Sequence, residues 1–486
     1  MSEKNFLKIN FGYASAQQEG SRAPDLLLDG YLDLNDICRN AVEGPEFLVL
    51  GYKGQGKSAI GERLRLQHQN DSQTFITSIN LEDFPYTSFS TIIEGKEAAQ
   101  AKYPTAWSWL LLIYLLASLE KDAGINVPDP QAFQETIAAL KEMGLLPVFG
   151  LPRLVRASNE SSFKVTIPSF FEGSLKNQST RIDIPNYVEN LKRLVAQIRT
   201  DSRHLIILDG LDEIVTNQTA QWDSLGALIF EANRLNTMLA ESGVKAKILV
   251  LCRTDIFELL EGANKNKIRQ DSAIELDWYS DPAAPQKSRL INIADLRATL
   301  AFGESTRVFE EFFPNKLFGK NAALALLDTT RHTPRDFLQL LKIIQSSTEN
   351  GILDVSTIRN GIRKYSIEYF LPEMIDELQG YVGATDAKNF FQLAGSLRQR
   401  DFTAKQLYAI AAEDPKNTLS DETIDTILRA LFECSGIGNI QQIKGRDFFT
   451  FRFRNRHATF NIKERILLHR GLWRALNLPV SGGGGG

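Results

Sequence analysis

The stretch FLVLGYKGQGKS, residues 47–58, constrains this chain most, because an apolar strand runs directly into a glycine-rich loop. The loop satisfies the pattern G-x-x-x-x-G-K-[ST] with Gly51, Gly56, Lys57 and Ser58. Glycines let the backbone fold tightly enough to aim several N–H donors inward, which makes an anion-binding concavity. The pattern is much rarer by chance when it lies between an apolar strand and an amphipathic helix. We therefore predict a phosphate-binding loop rather than a plain glycine turn.

Each position of this loop has a predicted role in nucleotide binding. Lys57 is expected to reach the β- and γ-phosphates, and the Ser58 hydroxyl is expected to bind Mg²⁺. Residues 59–66 are predicted to form a helix whose positive N-terminal end faces the phosphates. The predicted nucleotide-binding set is Gly51, Gly54, Gln55, Gly56, Lys57, Ser58 and Ala59.

A second motif, RHLIILDGLDEI at residues 203–214, predicts the metal-binding part of the same site. Its apolar run, 205–208, is typical of a strand buried in a parallel sheet. Asp209 follows at the carboxyl tip, where a carboxylate would hold Mg²⁺ directly or through water. Asp212 or Glu213 would then orient or deprotonate the attacking water, and the sequence does not decide between them. The alternative interpretation is an ordinary strand followed by an acidic turn.

Composition limits the class of protein. A chain of 486 residues is too long for one core, so several domains are expected. The formal net charge of −4 excludes a globally basic nucleic-acid binder but leaves room for local basic patches. The cysteines Cys38, Cys252 and Cys434 lie far apart and fit neither a disulfide framework nor a zinc motif. This pattern favours a reducing, cytoplasmic compartment.

No contact with a membrane is predicted. The N-terminus, MSEKNFLKINFG, lacks the charged-then-apolar layout of a signal peptide. The longest apolar run, residues 107–117, covers about half of a bilayer span and is better interpreted as a buried helix.

Alternating strands and helices predict an α/β fold of the P-loop NTPase type, with a central parallel sheet, a helical lid and a C-terminal winged-helix domain. Nucleotide would lie across the carboxyl ends of the strands. The predicted divisions are a lead-in at 1–45, the P-loop core at 46–282 with an insertion at about 100–195, the lid and connecting helices at 283–380, the winged-helix-like domain at 386–478, and a glycine linker or appended tail at 481–486.

Apolar runs and turn residues predict further elements of the core. Strands are expected at 74–80, 246–252 and 273–278, and the polar sequence NKNKIRQDS at 264–272 is predicted to be a turn. The insertion is expected to contain helices at 106–121, 131–143 and 184–198, with a hairpin within residues 161–175. It is either a partner-binding element or a structural elaboration.

Three arginines are candidates for reading the γ-phosphate. Arg253 ends the strand after the acidic one, where a γ-phosphate sensor would lie. Arg335 begins a lid helix directly after Pro334, and Arg269 lies in the polar turn, from which one subunit could present an arginine finger to its neighbour. A guanidinium suits all three roles because its planar fork binds phosphate bidentately and stays charged. The alternative for each is a surface or salt-bridging arginine.

The C-terminal region has the element order of a winged helix. Helices are predicted at 403–412 and 421–434, followed by a hairpin of 437–443 and 447–454 around Lys444 and Gly445. In FFTFRFRN, alternation would place Phe449, Phe451 and Phe453 on one side and Thr450, Arg452 and Arg454 on the other.

This region is also locally basic. Residues 441–476 contain nine Lys or Arg against two acidic residues. A phosphate-contacting DNA surface is one interpretation, with Lys444, Arg452, Arg454 and Arg456 as its candidate residues. The other is that these arginines pair with acidic faces of the ATPase domain or of a neighbouring subunit.

Together, GYKGQGKS, ILDGLDE, VLCRTD and TPRDFLQLL resemble STAND-type ATPases related to the AAA+ group. The lid and winged helix are similar to those of origin-recognition ATPases, and the acidic motif is similar to that of NACHT-type members. The opening FGYASAQQEG with FLVLGYKGQGKSAIGERL also resembles an uncharacterised bacterial family of P-loop ATPases. The resemblance covers about residues 26–478, apart from most of the insertion.

This resemblance implies ATP and Mg²⁺ as cofactors and an ATP-driven oligomerising switch, a type often found in bacterial anti-phage defence or signalling. It implies a homo-oligomer and a separate effector or sensor protein, because the sequence shows no fused effector and no recognisable repeat array.

The leading hypothesis is an ATP-hydrolysing, Mg²⁺-dependent switch whose assembly or partner contacts follow the bound nucleotide. The alternative is a DNA-binding loader or recruiter of the AAA+ type that grips duplex DNA with its basic winged helix. A third hypothesis, a kinase that phosphorylates a small molecule, fits the predicted lid and the sensor-like arginines less well. A fourth, an inactive nucleotide-bound scaffold, would not need the full set of hydrolytic residue types that the sequence contains.

Overall fold

The chain folds into two units. The computed structural model describes residues 4–82, 84–89, 91–93, 99–160, 184–211, 219–262, 264–279, 287–415 and 417–479. The sheet unit comprises the described parts of Asp33–Lys53 and Lys57–Leu276. The helical unit comprises those of Met1–Leu32, Gly54–Gly56 and Asp277–Gly486. None of the described helices is both long and apolar enough to cross a membrane.

A five-stranded parallel sheet forms the centre of the sheet unit. Its strands are β1 (Leu48–Leu50), β2 (Thr74–Asn80), β3 (Arg203–Asp209), β4 (Ala246–Cys252) and β5 (Ala273–Glu275). Their order across the sheet is β2-β3-β4-β1-β5, and every pairing is parallel. The strands predicted at 74–80 and 246–252 are confirmed, and the last strand is shorter than predicted.

Helices cover this sheet, so its inner strands are continuous apolar runs. The helices of the sheet unit are Ile37–Glu43, Lys57–Gln67, Tyr86–Phe89, Ala99–Leu119, Pro130–Glu142, Leu151–Glu160, Ile184–Gln197, Thr219–Glu241, Thr254–Leu259 and Lys265–Ser272. The last of these corrects a prediction, because residues 264–272 were expected to be a polar turn. Ile268 is buried beneath that helix, and the Lys265 ammonium binds the carbonyl oxygens of Glu258 and Leu260 at the end of the preceding helix.

The first helix of the predicted insertion belongs to the core of the sheet unit. Ala99–Leu119 contacts Thr219–Glu241 along its length, and Trp107 and Trp109 are both fully buried. The Trp107 indole donates to the Ser224 carbonyl oxygen at 2.9 Å. The hairpin predicted within residues 161–175 lies outside the described residues.

The helical unit contains two N-terminal helices, Ala16–Arg22 and Pro24–Leu28, and a lid. The lid consists of helices Arg289–Phe302, Val308–Glu311, Ala322–Leu327, Pro334–Gln345, Val355–Tyr365 and Leu371–Glu377, with a π-helical turn at Ser366–Phe370 and a small hairpin of β6 (Lys316–Leu317) and β7 (Lys320–Asn321). These elements confirm the predicted helical lid.

The N-terminal segment packs on this lid, although it was expected to lead into the P-loop core. Arg297 forms a buried ion pair with Glu19 at 2.6 Å, and the Lys342 ammonium donates to the Gly12 carbonyl oxygen at 2.8 Å. Gln345 donates to two further carbonyl oxygens of the segment, those of Phe6 and Ile9. Polar groups along the lid helices therefore hold the segment, and such long-range contacts leave no local sequence pattern.

A winged-helix domain ends the described chain. It contains helices Ala384–Ser396, Ala404–Glu413 and Asp421–Glu433 and strands β8 (Asp401–Phe402), β9 (Ile437–Ile443), β10 (Arg446–Thr450) and β11 (Arg465–Leu468). The four strands form an antiparallel sheet in the order β10-β9-β11-β8. The predicted fold class is therefore confirmed, including the hairpin around Lys444.

The alternation predicted for FFTFRFRN is wrong beyond Thr450. β10 ends there and the chain turns, so residues 451–454 do not continue the two faces of the strand. Arg452, which was expected to project with Arg454, is buried instead. Aromatic contacts override the strand pattern, because Phe451 and Phe453 both pack against the buried His469 ring.

One half-buried lysine holds the segment that leads into β1. The Lys247 ammonium on β4 donates to the carbonyl oxygens of Asn40, Ala41, Gly44 and Glu46 at 2.7–3.2 Å. The first two belong to the end of helix Ile37–Glu43, whose last carbonyls have no partner within the helix. The positive charge therefore caps this helix and fixes the chain just before the phosphate-loop strand.

We expect Lys247→Met to lower the free energy of unfolding by about 2–3 kcal/mol, because several buried carbonyl oxygens lose their donor. Lys245→Met is the matched control. Lys245 is half exposed and pairs with the fully exposed Asp201, so its loss should cost less than about 0.5 kcal/mol. Urea unfolding followed by tryptophan fluorescence measures both. Equal effects of the two substitutions would contradict the capping role of Lys247.

Candidate functional site

The carboxyl ends of the parallel strands form the candidate site. β4 lies between β1 and β3, and its pairing aligns Leu50 with Cys252 and Leu208 with Val250. In this register Asp209, the last residue of β3, lies opposite Leu251 of β4. The end of β1, where the phosphate loop begins, pairs with the next residue of β4, Cys252. The two sequence motifs meet at one edge of the sheet, as their patterns predict.

Backbone hydrogen bonds fix the start of the phosphate loop to the end of β4. The Gly51 N–H donates to the Cys252 carbonyl oxygen, and the Thr254 N–H donates to the Gly51 carbonyl oxygen, both at 3.3 Å. Arg253 lies between these two contacts. The residue predicted to sense a γ-phosphate is thus placed beside the loop by main-chain geometry.

The loop has the shape that a bound phosphate chain requires. Gly56 has φ +95°, and no atom lies within 4 Å of the position that a β-carbon would take there, so backbone conformation rather than crowding requires glycine. Lys57 begins the helix Lys57–Gln67, and its buried ammonium donates to the carbonyl oxygens of Gly51 at 3.1 Å and Tyr52 at 3.4 Å. The ammonium lies across the mouth of the loop, where Lys57 was predicted to meet the β- and γ-phosphates.

Ser58 and Asp209 fit the role of Mg²⁺ ligands. Ser58 occupies the second position of the helix, and Asp209 ends β3 with one carboxylate oxygen accepting the Gly210 N–H at 2.9 Å. In the described ranges no cluster of three or more His, Cys, Asp or Glu side chains could hold a metal alone. A site of one hydroxyl and one carboxylate suits Mg²⁺, which takes its remaining ligands from phosphates and water. The candidate bases Asp212 and Glu213 lie outside the described residues.

Asp255 is a site residue that sequence reasoning missed. Its carboxylate binds the Arg253 guanidinium in a two-point contact, with Arg253 Nε and Nη2 at 3.0 and 2.6 Å. Burial alone would raise the pKa of Asp255, but the charges of Arg253 and Lys57 outweigh burial and hold this pKa below its ordinary value. Asp255 therefore stays ionised and orients the arginine at the edge of the loop. The available signal was a carboxylate two residues after a strand-ending arginine.

Asn80 and Glu82 also lie at this edge and were not assigned from sequence. The Asn80 amide donates to the Glu82 carboxylate at 2.9 Å, and its oxygen accepts the Glu82 N–H at 3.0 Å. A β-carbon at Gly210, which has φ +82°, would lie 2.1 Å from that amide oxygen. The tip of β2 therefore packs directly on the turn that follows Asp209.

The lid helix Pro334–Gln345 places Arg335 against the tip of the phosphate loop. The Arg335 N–H donates to the Gly54 carbonyl oxygen at 3.2 Å, and Gly54 groups with the helical unit. In the same unit the Trp278 indole donates to the Gln55 carbonyl oxygen at 2.9 Å. Lid residues thus hold the backbone of the loop tip. The contact between the Arg335 guanidinium and a γ-phosphate stays a prediction.

A buried ion-pair network fixes the start of this helix. Arg331 binds Asp336 through two hydrogen bonds of 2.8 and 2.9 Å and binds Glu377 at 3.1 Å. The Tyr369 hydroxyl donates to Asp336 at 3.0 Å. Burial would raise the pKa of Asp336, yet the Arg331 charge holds it below its ordinary value. Residues 331–336 therefore form a rigid corner, because breaking one partner would strand a buried charge.

The corner also touches the winged-helix domain. His332 stacks on Phe453 with ring centres 5.0 Å apart, and Tyr279 meets both rings edge-on. Burial lowers the pKa of His332 to about 4, helped by the Arg454 charge, so this imidazole is neutral near pH 7. The segment that carries Arg335 thus packs against an aromatic cluster at the end of the winged-helix hairpin.

Arg269 pairs with carboxylates of its own unit. Its Nε binds Glu275 at 2.6 Å, and Nη1 lies 3.6 Å from Glu258. The residue lies on the helix Lys265–Ser272, not on a turn. A role as an arginine finger stays a prediction, and it would require the guanidinium to leave these two carboxylates.

The four candidate DNA contacts are placed differently from one another. Arg452 is buried, with its Nε 3.0 Å from Glu433 and Nη1 donating to the Ala458 carbonyl oxygen. Arg456 pairs with Asp277 at 3.3 Å. Arg454 lies over the Phe453 ring, and Lys444 is exposed in the hairpin turn. Arg452 thus pairs with a carboxylate of the winged-helix domain itself, and Arg456 pairs with a carboxylate outside that domain.

Comparisons with known proteins give distant likenesses. No family model matches the chain. A protein of Escherichia coli strain K12 named "Putative transposon gamma-delta 80.3 kDa protein" is 20% identical over 497 residues, covering 96% of this chain and 67% of that protein.

Three solved structures are similar at low scores. The ORC1 protein of Aeropyrum pernix in complex with DNA gives a TM-score of 0.40 at 14% identity, covering 94% of each chain. A Walker-type ATPase of Pyrococcus abyssi gives 0.39 at 10% identity, covering 87% of this chain and 94% of that one. Cdc6p of Pyrobaculum aerophilum gives 0.33 at 12% identity, covering 96% and 97%. Function is therefore inferred from the site itself.

Proposed function

We propose that this chain binds ATP with Mg²⁺ and hydrolyses it. The observation that carries the proposal is the meeting of Lys57, Arg253 and Asp209 at one edge of a parallel sheet. A phosphate loop alone would serve any phosphate ligand. A carboxylate on the neighbouring motif and an oriented arginine beside the loop are the additional groups that hydrolysis of a γ-phosphate needs.

Each residue has a distinct task in this proposal. The loop N–H groups and Lys57 hold the β- and γ-phosphates, and Ser58 with Asp209 holds Mg²⁺, which would neutralise developing charge on the phosphate oxygens. Asp212 or Glu213 accepts a proton from water as its oxygen attacks the γ-phosphorus. The bond to the β-γ bridging oxygen breaks, and ADP and inorganic phosphate leave. Arg253 stabilises the charge on the transferred group, and Arg335 joins it from the lid.

Arg253 is preoriented for this task by Asp255. A guanidinium on a flexible side chain loses rotamer freedom when it meets a phosphate, and a fixed carboxylate removes part of that cost beforehand. Asp255 contributes this orientation without touching the nucleotide. It is therefore a positioning residue.

We expect Asp255→Asn to reduce ATP hydrolysis about 10-fold while changing ATP affinity less than about 3-fold, because Arg253 acts mainly on the transferred phosphoryl group. Asp209→Asn should reduce hydrolysis about 100-fold, since a carboxylate ligand of the metal is lost. Phosphate release under saturating ATP and Mg²⁺ measures both. Asp271→Asn, at an exposed position of the same unit, is the control. Wild-type rates in Asp209→Asn would refute the proposed site.

The proposal extends to a switch whose self-assembly follows the bound nucleotide. This step rests on the resemblance to STAND-type ATPases, and so do an effector or sensor partner and a role in anti-phage defence. Within the helical unit, the lid residues Arg335 and Trp278 bind the Gly54 and Gln55 carbonyl oxygens, and these bonds support a role of the lid in the proposed switch. Arg269 would complete a neighbouring site in the assembled form.

Self-assembly can be tested by mass photometry without nucleotide, with ADP and with a non-hydrolysable ATP analogue. We expect larger species only with the analogue, because only the analogue carries the γ-phosphate that Arg253 and Arg335 are each proposed to read. Lys57→Ala should abolish them. An Arg269→Ala protein should still bind the analogue but assemble less. A mass that stays constant under all conditions would remove self-assembly from the proposal and leave hydrolysis untouched.

The alternative of a DNA loader that grips duplex through its wing receives little support from the wing. Arg452 and Arg456 are held in ion pairs of the helical unit. The helix before the hairpin, Asp421–Glu433, carries Asp421, Glu422, Asp425 and Glu433 against Arg429. An acidic helix in that position repels phosphates rather than entering a groove.

A further inference from the structure

A cluster of arginines lies elsewhere in the helical unit, apart from the predicted wing contacts. Two of them, Arg359 and Arg363, are exposed one helical turn apart on Val355–Tyr365. Two more are Arg470, which begins the short turn Arg470–Leu472, and Arg474, two residues after that turn. Arg400 precedes strand β8 and completes the set. We call these five residues the arginine face.

Hydrogen bonds bring the two segments together. The Ser366 hydroxyl, which directly follows Val355–Tyr365, donates to the Gly471 carbonyl oxygen and accepts the Ala475 N–H at 2.9 Å. The 470–475 turn is therefore fixed against the end of the helix that carries Arg359 and Arg363. At the other end of the turn, the Leu468 N–H donates to the Arg400 carbonyl oxygen at 2.9 Å.

Aromatic rings, not carboxylates, support most of these guanidiniums. Arg400 and Arg470 lie over the Trp473 ring at 4.8 and 5.7 Å from its centre, and Arg359 lies over Phe318 at 5.8 Å. Arg470 has one acidic partner, Asp328 at 3.5 Å. Among the residues that the structure describes, Arg359, Arg363 and Arg474 form no ion pair with a carboxylate.

The positive charges act on one another. The pKa of Arg474 lies below its ordinary value because the side chain is partly buried and because Arg359, Arg363 and Arg470 repel its charge. A folded protein gains nothing from holding several cations together in this way. Cation–π contacts offset part of the repulsion by fixing the planes of the guanidiniums without neutralising them. The surface is built to keep its charge available.

We propose that the arginine face binds the sugar-phosphate backbone of duplex DNA. One or two cations would suffice for a nucleotide or a free phosphate, whereas five call for a polyanion. Planar guanidiniums match phosphate oxygens bidentately. Duplex DNA offers one negative charge per about 1.7 Å of axis, a density that an acidic peptide does not reach. The helix Asp421–Glu433 is acidic and is not expected to contact base edges in a groove. The binding is therefore independent of the DNA sequence.

The face predicts a steep dependence on salt. Four phosphate contacts, one for each arginine of the face other than Arg470, which pairs with Asp328, give a slope of about −3 to −4 for the logarithm of the association constant against that of the salt concentration. The probe is a fluorescently labelled random duplex of about 30 base pairs, measured by anisotropy against the full chain. Replacing Arg359, Arg363 and Arg474 together by glutamate should weaken binding about 100-fold or more at low salt and reduce the slope by about 3.

Two controls separate the face from other causes. The wing variant with Lys444→Glu and Arg446→Glu carries a similar reversal of charge at the exposed hairpin and should bind within about 2-fold of wild type. The variant with the same three face arginines changed to lysine should keep the salt slope of wild type. That result would show that the glutamate variant binds weakly because its charge is reversed and not because it is misfolded. Thermal unfolding of all variants should match wild type, since the changed side chains are exposed or half-buried.

The proposal is overturned by any of four results. These are absence of wild-type binding at low salt, an unchanged affinity in the glutamate variant, a wing variant that loses as much as the face variant, and competition by polyglutamate as strong as by duplex DNA. ATP hydrolysis by the glutamate variant is expected to be unaffected, so failure here and failure of the proposed ATPase activity are distinguishable.

Discussion

The pairing of β1 between β4 and β5 is the constraint on which the candidate site depends. Parallel pairing brings the carboxyl ends of the strands to one edge, and the register aligns the end of β1 with the end of β4. The phosphate loop, Arg253 and Asp209 then follow from chain connectivity. Lys247 reinforces this arrangement, since it anchors the segment entering β1 to the strand beside it. Loss of that register would separate every group that the proposed chemistry needs.

Arginine-carboxylate pairs are the second recurring device. Arg253 is held by Asp255, Arg269 by Glu275 and Arg331 by Asp336, each at 2.6–2.8 Å for its shortest contact. At the first of these the pair lies beside the phosphate loop, so the carboxylate orients a cation for a ligand. At Arg331 it stiffens the corner of the lid. The arginine face differs because aromatic rings support three of its five guanidiniums, and among the described residues only Arg470 has a carboxylate partner.

The sequence predicted the parts of the site that depend on local patterns. The phosphate loop, the strands at 74–80 and 246–252 and the acidic tip at Asp209 are marked by apolar runs that end in glycine or acid. Asn80 was missed because it packs on Gly210, which is distant in sequence. Asp255 was missed although its partner Arg253 lies only two residues before it. The polar run 264–272 was predicted to be a turn but forms a short helix, because the single buried residue Ile268 is enough to pack that helix on the core. Arg452 was misplaced because the packing of Phe451 and Phe453 on His469 overrides strand alternation, and Arg452 pairs with Glu433. The roles of residues 212–213 stay predictions.

Nucleotide binding is the claim from which the rest of the account follows. The most direct measurement is isothermal titration of the full chain with ATP in the presence of Mg²⁺, compared with Lys57→Ala. The account predicts one nucleotide per chain for wild type, and an affinity reduced at least about 10-fold in the variant, whose unfolding temperature is unchanged. Absence of binding to wild type, or equal binding to both proteins, would contradict it.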